Sequence, residues 1–138
     1  MKILHTSDWH IGHTFFDYDR LAEHAAALDR LGDIAAAEQP DAMLVCGDIF
    51  HTYMPSGKAR RLLVEKIDAI HRRVPDMRII ITAGNHDNAA YHEIFATPWL
   101  RDGVHLVGNM PSDPAEAVIE IPGRGFIAAV PYISARRI

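Results

Sequence analysis

Three short apolar runs, separated by two longer amphipathic stretches, constrain the fold of this chain more than any other feature. The runs are Ile3–Thr6, Ala42–Cys46 and Arg78–Thr82, and each has the length of a single strand. In residues 18–38 and 56–73, apolar side chains recur at three- and four-residue steps, as on one face of a helix. This order predicts an α/β fold with helices packed on a central, mostly parallel sheet.

The flanking residues predict where the helices begin and end. Pro40 ends the first helix, and Ser56 is the expected N-cap of the second. Later apolar segments at 104–107, 118–121 and 126–130 are separated by clusters of Gly, Pro, Asn and Asp, which is typical of a meander or a sheet edge. The length of 138 residues, without a linker or an internal repeat, predicts one domain.

Composition excludes several classes of protein. The chain is 49% hydrophobic with a net charge of -4, so a disordered chain is not expected. No apolar stretch approaches the roughly 20 residues of a transmembrane helix, and the first ten residues lack the apolar core of a signal peptide. The single cysteine, Cys46, excludes an intrachain disulfide and indicates the cytoplasm. We expect its side chain to be buried in its strand.

All three predicted strands end in side chains that suit a binding site. These side chains are Asp8 and His10 after the first strand, Asp48 and His51 after the second, and Asn85, His86 and Asp87 after the third. In parallel sheets, ligands bind beyond the carboxyl ends of the strands. We therefore expect these residues to converge at one edge of the sheet.

The residue types indicate a site for divalent metal ions. Carboxylate and amide oxygens suit manganese or magnesium, and imidazole extends the range to iron, zinc or nickel. Asp8 and His10 would point the same way on an extended segment, and the two oxygens of Asp48 could bridge two ions. Gly47 and Gly84 permit tight turns beside these residues. Each Asp alone could instead cap a turn or a helix, but the joint pattern favours metal binding.

The same residues carry a family resemblance. D-x-H at residues 8–10, G-D at 47–48 and G-N-H-D at 84–87 resemble the first three motifs of the calcineurin-like metallophosphoesterases. The longer strings at 1–12 and 47–50 resemble the nuclease subunit of the SbcCD type, within the subfamily of double-strand-break repair nucleases. The resemblance extends to Val-Pro-Tyr at 130–132.

The resemblance implies a two-metal centre. Asp8 and His10 would bind the first ion, Asp48 would bridge both ions, and Asn85 would bind the second. Manganese is the expected metal. In two-metal sites of this kind, the ions activate a water and stabilise the leaving oxygen of a phosphoester.

The resemblance also implies two catalytic histidines. His86 would stabilise or protonate the leaving oxygen, and His51 would approach the substrate backbone. Asp87 could orient His86 or cap the helix that follows, and we favour the cap.

Four further residues are candidates for contact with the substrate. His13 and Phe15 could line a substrate groove, where an aromatic ring can stack on a splayed base, or they could pack under their own loop. Lys58 and Arg61 could contact phosphate, although a solvated helix face is the favoured interpretation. Cations at a helix start oppose the helix dipole, which slightly favours a functional role.

The chain departs from the resembled family in one respect. Such enzymes complete both metal sites with later histidines in G-H and G-H-x-H motifs, but only His105 follows His92 here, and neither motif occurs. Residues 1–138 are therefore expected to be the N-terminal portion of a phosphoesterase domain. The sheet would be incomplete on the C-terminal side, and this chain alone would have little or no nuclease activity.

The resulting functional prediction is a metal-dependent DNA exonuclease and endonuclease of SbcD type. It would hydrolyse phosphodiester bonds in DNA repair and recombination, with an SbcC-type ATPase as its partner and no membrane attachment. As a full-length protein it would form a homodimer, for which the second helix and residues 91–100 are candidate surfaces. The alternatives are a phosphoesterase acting on a small nucleotide or pyrophosphate and a non-catalytic binding or scaffold protein.

Overall fold

A four-stranded parallel sheet forms the centre of the computed structural model, which describes residues 1–90 and 103–134. In chain order the elements are β1 (Ile3–Thr6), β2 (Thr14–Phe15), β3 (Tyr18–Asp19), α1 (Leu21–Glu38), β4 (Ala42–Cys46), α2 (Gly57–Arg73), β5 (Arg78–Thr82), β6 (Val104–Val107), a 3-10 turn at Pro114–Ala117, β7 (Val118–Ile121) and β8 (Gly125–Ala128). The strands of the central sheet lie in the order β1-β4-β5-β6. The predicted α/β fold with a mostly parallel sheet is confirmed.

The main core lies between this sheet and the two long helices. Alternate residues of β4 and β5, such as Met43 and Ile79, are completely buried on the helix side. They meet Leu28 of α1 and Leu63 and Ile67 of α2, which belong to the apolar faces of the helices. Burial of one side chain of this size contributes about 1.5–3 kcal/mol, so this core holds the strand ends in register.

The two helices differ in how well their starts were predicted. Ser56 is the N-cap of α2, and its hydroxyl accepts a hydrogen bond from the N–H of Ala59 at 3.2 Å, as predicted. The predicted start of the first helix at residue 18 is wrong, because α1 begins at Leu21. Tyr18 and Asp19 instead pair with β2 in a two-stranded antiparallel hairpin.

The opposite face of the sheet is only partly covered. The antiparallel hairpin β7–β8 packs Ile119 and Ile121 against Ile80, and β6 extends the parallel sheet next to β5. The later apolar segments therefore form both a sheet edge and a hairpin, although the last strand ends at Ala128 rather than at residue 130. Cys46 is exposed on the less covered part of this face, so the expectation that it is buried is wrong.

Two observations bear on surfaces. The candidate dimer segment at 91–100 lies outside the described residues. In the ranges 1–90 and 103–134, no helix combines the length and the apolar character needed to cross a bilayer.

Candidate metal centre

The segments that follow β1, β4 and β5 meet at the carboxyl edge of the sheet. The N–H of Asp8 donates to the carbonyl of Gly47 at 3.1 Å, and the N–H of Gly47 donates to the carbonyl of Thr82 at 3.1 Å. Further along, the N–H of His10 donates to the carbonyl of Asp48 at 3.0 Å. Backbone hydrogen bonds therefore join the three strand ends, as their positions in a parallel sheet predict.

Asp8, His10 and Asp48 form a group that suits one metal ion. One ligand atom from each residue lies within 4.8 Å of those of the other two. The Nε2 atom of His10 is 3.9 Å from Oδ1 of Asp8 and 3.8 Å from Oδ2 of Asp48. These distances are too long for hydrogen bonds, but ligand atoms that each lie about 2.0–2.2 Å from a shared ion are separated by up to about 4 Å. Two carboxylates and an imidazole therefore fit a divalent ion.

The backbone of this group is left-handed at every one of its three residues. The φ angles are 55° at Asp8, 44° at His10 and 51° at Asp48. Asp8 and His10 thus converge through a turn, and the extended segment assumed from the sequence is wrong because β1 ends at Thr6. Asp and His tolerate this region better than most residues, yet each such conformation costs about 1–2 kcal/mol. The strain is concentrated at the candidate ligands, as is common at functional sites.

A close approach between two loops requires glycine at position 84. A Cβ atom on Gly84 would overlap the carboxylate and the backbone nitrogen of Asp48. Only a residue without a side chain lets the loop after β5 lie against this carboxylate. Asn85 follows directly and lines a cavity of about 440 Å³ together with Asp8 and Asp48.

His86 is held beside the same carboxylate by two hydrogen bonds. Its backbone N–H donates to Oδ1 of Asp48 at 3.0 Å, and its Nδ1 lies 3.1 Å from the carbonyl oxygen of His51. A carbonyl only accepts, so Nδ1 carries the proton and Nε2 is left for another partner. The His86 ring stacks on that of His51, with centroids 6.0 Å apart.

A fourth histidine joins this cluster from the loop after β1. The ring centroid of His13 is 4.4 Å from that of His51, and the Nδ1 of His13 lies 3.2 Å from Nη1 of Arg20. Burial, together with the nearby imidazoles of His13, His10 and His86, lowers the pKa of His51 below its usual value. Arg20 was not identified from the sequence, because its position just before α1 gives no indication of this contact.

Asp87 has a role that sequence reasoning missed. It is the buried charged residue of the described core, only 6% exposed. Its Oδ2 accepts hydrogen bonds from the N–H of Gly84 at 2.8 Å and of Ile49 at 3.1 Å, and its Oδ1 accepts from the N–H of Phe50 at 2.9 Å. The favoured prediction of a helix cap is therefore wrong. Asp87 joins the loop after β5 to the loop after β4, across a separation that no local sequence pattern indicates.

The remaining candidates lie apart from the metal-site group. Phe15 is 62% exposed in β2 and packs edge-on against Phe16 at 4.9 Å, so it does not pack under its loop. Lys58 and Arg61 line a different groove, which they share with Leu21 of α1. The structure does not bring either cation to the carboxyl edge of the sheet.

Comparisons with known proteins agree with this geometry. A family model described as calcineurin-like phosphoesterase matches residues 1–129. Curated relatives from three bacteria, each named as one of the subunits of the nuclease SbcCD, are similar to the chain. The chain is 46% identical to the Rhodobacter capsulatus protein over 114 residues, which cover 83% of this chain and 28% of that protein.

The other two relatives give similar values. The chain is 38% identical to the Bacillus subtilis protein over 130 residues, covering 94% of this chain and 32% of that protein. For the Escherichia coli K12 protein the identity is 42% over 90 residues, covering 65% and 22%. The chain thus spans about a third or less of the curated relatives it matches.

Proposed function

The chain belongs to the calcineurin-like phosphoesterase family, and we propose that it is the N-terminal portion of an SbcD-type DNA nuclease. The observation that supports this most is the convergence of Asp8, His10 and Asp48 at the carboxyl edge of the sheet. Asn85 lines the same cavity, and His86 is hydrogen-bonded to Asp48. Residue types, positions and neighbours all suit metal-dependent phosphoester hydrolysis.

In this proposal, each residue of the group has a separate task. Asp8 and His10 hold one ion, Asn85 holds a second, and Asp48 lies between them. When bound, the divalent ions supply positive charge against the phosphate oxygens and a water of lowered pKa. We propose manganese as the metal, because the donor set is rich in oxygen and includes an imidazole.

His86 is the proposed proton donor to the leaving oxygen. The bond from Nδ1 to the carbonyl of His51 orients the ring and leaves Nε2 to carry the transferred proton. His51 lies against the same ring, and its lowered pKa keeps it neutral near pH 7. A neutral His51 can then donate one hydrogen bond to the substrate backbone without adding charge. His13 and Phe15 are proposed to border the path of the substrate, and Lys58 and Arg61 to contact phosphate farther from the metals.

The activity of the whole protein extends this proposal beyond the described residues. The relatives are named as subunits of the nuclease SbcCD. We therefore propose DNA as substrate, an SbcC-type ATPase as partner, a homodimer, a role in DNA repair and recombination, and a cytoplasmic location. The 138 residues alone are expected to bind metal incompletely, because the sequence contains no G-H-x-H motif.

The test compares substrates on the full-length protein that carries this chain. With manganese, we expect hydrolysis of linear double-stranded DNA that is lost on chelation and in Asp48→Asn. The control Asp33→Asn removes a carboxylate that pairs with Arg73 on the exposed surface of α1, and it should leave the rate unchanged. Hydrolysis of small nucleotides without cleavage of DNA would instead indicate a small-molecule phosphoesterase. Metal binding without hydrolysis of either substrate would indicate a binding or scaffold role.

A further inference from the structure

Three of the clustered histidines form a second donor group that the proposed nuclease mechanism does not use as such. One ring nitrogen of His10, one of His51 and one of His86 all lie within 4.8 Å of one another. The three ring centroids form a triangle with sides of 5.1, 5.5 and 6.0 Å. This group contains no carboxylate and is distinct from the group of Asp8, His10 and Asp48, although the two groups share His10.

The size of the triangle suits a tetrahedral ion. Zinc binds a histidine nitrogen at about 2.0–2.1 Å, so three imidazoles around one zinc ion have ring centres roughly 5 Å apart. The observed sides lie close to this separation, and small rotations of exposed rings can close the remainder. Nδ1 of His10 and Nδ1 of His51 are also buried atoms that have no hydrogen-bond partner in the part of the chain that the structure describes.

The chemistry of the two groups selects different ions. Three neutral imidazoles favour zinc over manganese, because affinity for nitrogen donors rises along the series from manganese to copper and remains high at zinc. Two carboxylates add negative charge and hard oxygen donors, which suit manganese or magnesium. His13 lies beside the cluster but its Nδ1 faces Arg20, a cation that already engages it.

We propose that His10, His51 and His86 form a zinc site that excludes the productive metal centre. The inference rests on the proposed function only in its consequence, which is inhibition. An ion held by the three imidazoles takes His10 away from Asp8 and Asp48. It also occupies His86, the proposed proton donor. Zinc at this site therefore inactivates the enzyme without entering the carboxylate group.

Cobalt(II) is the probe that tests this site, because tetrahedral cobalt absorbs visible light much more strongly than octahedral cobalt. The metal-free full-length protein is titrated with cobalt alone, and the tetrahedral band is then displaced with zinc. We expect one equivalent of tetrahedral cobalt in the unaltered protein. In His51→Gln the band should disappear, and zinc affinity should fall at least about 100-fold, the upper end of the effect of losing an outer-shell partner.

Three variants separate the two donor groups. Asp48→Asn should keep the tetrahedral cobalt band and lose manganese binding measured by calorimetry. His51→Gln should show the reverse, and its retained manganese binding would show that it is folded. His10→Gln should lose both. His13→Gln is the matched control, since it replaces a histidine of the same cluster outside the donor group, and it should lose neither.

The outcomes separate failure of this inference from failure of the proposed function. A weak octahedral spectrum in the unaltered protein, or a tetrahedral band that survives in His51→Gln, would overturn the zinc site. Equal loss of the band in His13→Gln and His51→Gln would do so as well. A His51-dependent band in a protein that neither binds manganese nor cleaves DNA would retain the three-imidazole site and overturn the proposed function.

Discussion

Oδ1 of Asp48 accepts a hydrogen bond of 3.0 Å from the backbone N–H of His86. The other oxygen of the same carboxylate, Oδ2, lies 3.8 Å from Nε2 of His10. One oxygen thus holds the loop that carries the proposed proton donor, while the other faces the proposed metal ligand. The side chain is only 14% exposed, so water competes little with either interaction. Asp48 therefore connects the metal group to His86.

The first prediction concerns Asp48→Asn. The amide keeps the size of the side chain, its tolerance of left-handed backbone and an oxygen for the N–H of His86, but it removes the negative charge. We expect manganese affinity to fall about 100-fold or more, because a direct ligand matters at least as much as the outer-shell groups that tune it. Calorimetric titration measures this change. Asp33→Asn, on the exposed face of α1, should bind manganese as the unaltered chain does.

The second prediction concerns the buried carboxylate of Asp87. Asp87→Ala leaves the N–H groups of Gly84, Ile49 and Phe50 without their acceptor. Each buried unsatisfied donor costs about 1–3 kcal/mol, so we expect the free energy of unfolding to fall by about 3 kcal/mol or more. Urea denaturation measures the loss.

Asp113→Ala is the comparison for this variant. Asp113 accepts a single hydrogen bond, from the N–H of Ala115, at the exposed start of the 3-10 turn. Its replacement should cost about 1 kcal/mol, the usual value for one capping side chain. Equal losses in the two variants would show that Asp87 does not join the two loops.

The third prediction tests the close approach at Gly84. In Gly84→Ala, the new methyl group would overlap the carboxylate and the backbone nitrogen of Asp48. The loop must move, and we expect both weaker manganese binding and a destabilisation of about 1–3 kcal/mol, typical of overpacking. Thermal unfolding and calorimetry measure the two effects.

Gly57→Ala is the matched control for this substitution. A Cβ atom on Gly57 meets no atom within 4 Å, and the residue opens α2. Alanine there should leave manganese binding unchanged and stabilise the chain by about 0.4–1 kcal/mol, because it reduces the freedom of the unfolded chain. A metal-binding loss shared by both variants would contradict the steric explanation.

The fourth prediction concerns pH and His105 of β6. Burial first, and then the charge of Arg78, lower the pKa of His105 below its usual value of 6.5. Between the lowered pKa and 6.5, the unfolded chain binds a proton that the folded chain does not. Stability contributed by the neutral form is therefore present above pH 6.5 and is lost as the pH falls through this window.

Urea denaturation between about pH 5 and pH 7.5 measures this dependence. The free energy of unfolding should rise with pH, and His105→Gln should rise less steeply because one titrating group is removed. His5→Gln replaces an exposed histidine of β1 and should keep the slope of the unaltered chain. An unchanged slope in His105→Gln would contradict the prediction.

Much of the architecture was predictable because burial repeats locally along the chain. The apolar residues of β4 and β5 are contiguous in sequence, and those of α2 follow a helical period, so each element is apparent before its partners are known. The start of α1 was mispredicted because Tyr18 continues the apolar period of the helix. Pairing of Tyr18 with Phe15 in the β2–β3 hairpin overrides that period.

The sequence by itself determined the order of the elements and the residue types at the three strand ends, including Asp8, Asp48 and His86. Both depend on short segments, and the parallel arrangement then brings their carboxyl ends to one edge. Only the tertiary structure decided the left-handed backbone of the metal group, the histidine cluster and the burial of Asp87. Asp87 binds N–H groups 37 and 38 residues away, so its role exists only after the loops have met. Such contacts leave no local period, which is the physical reason that sequence reasoning did not find them.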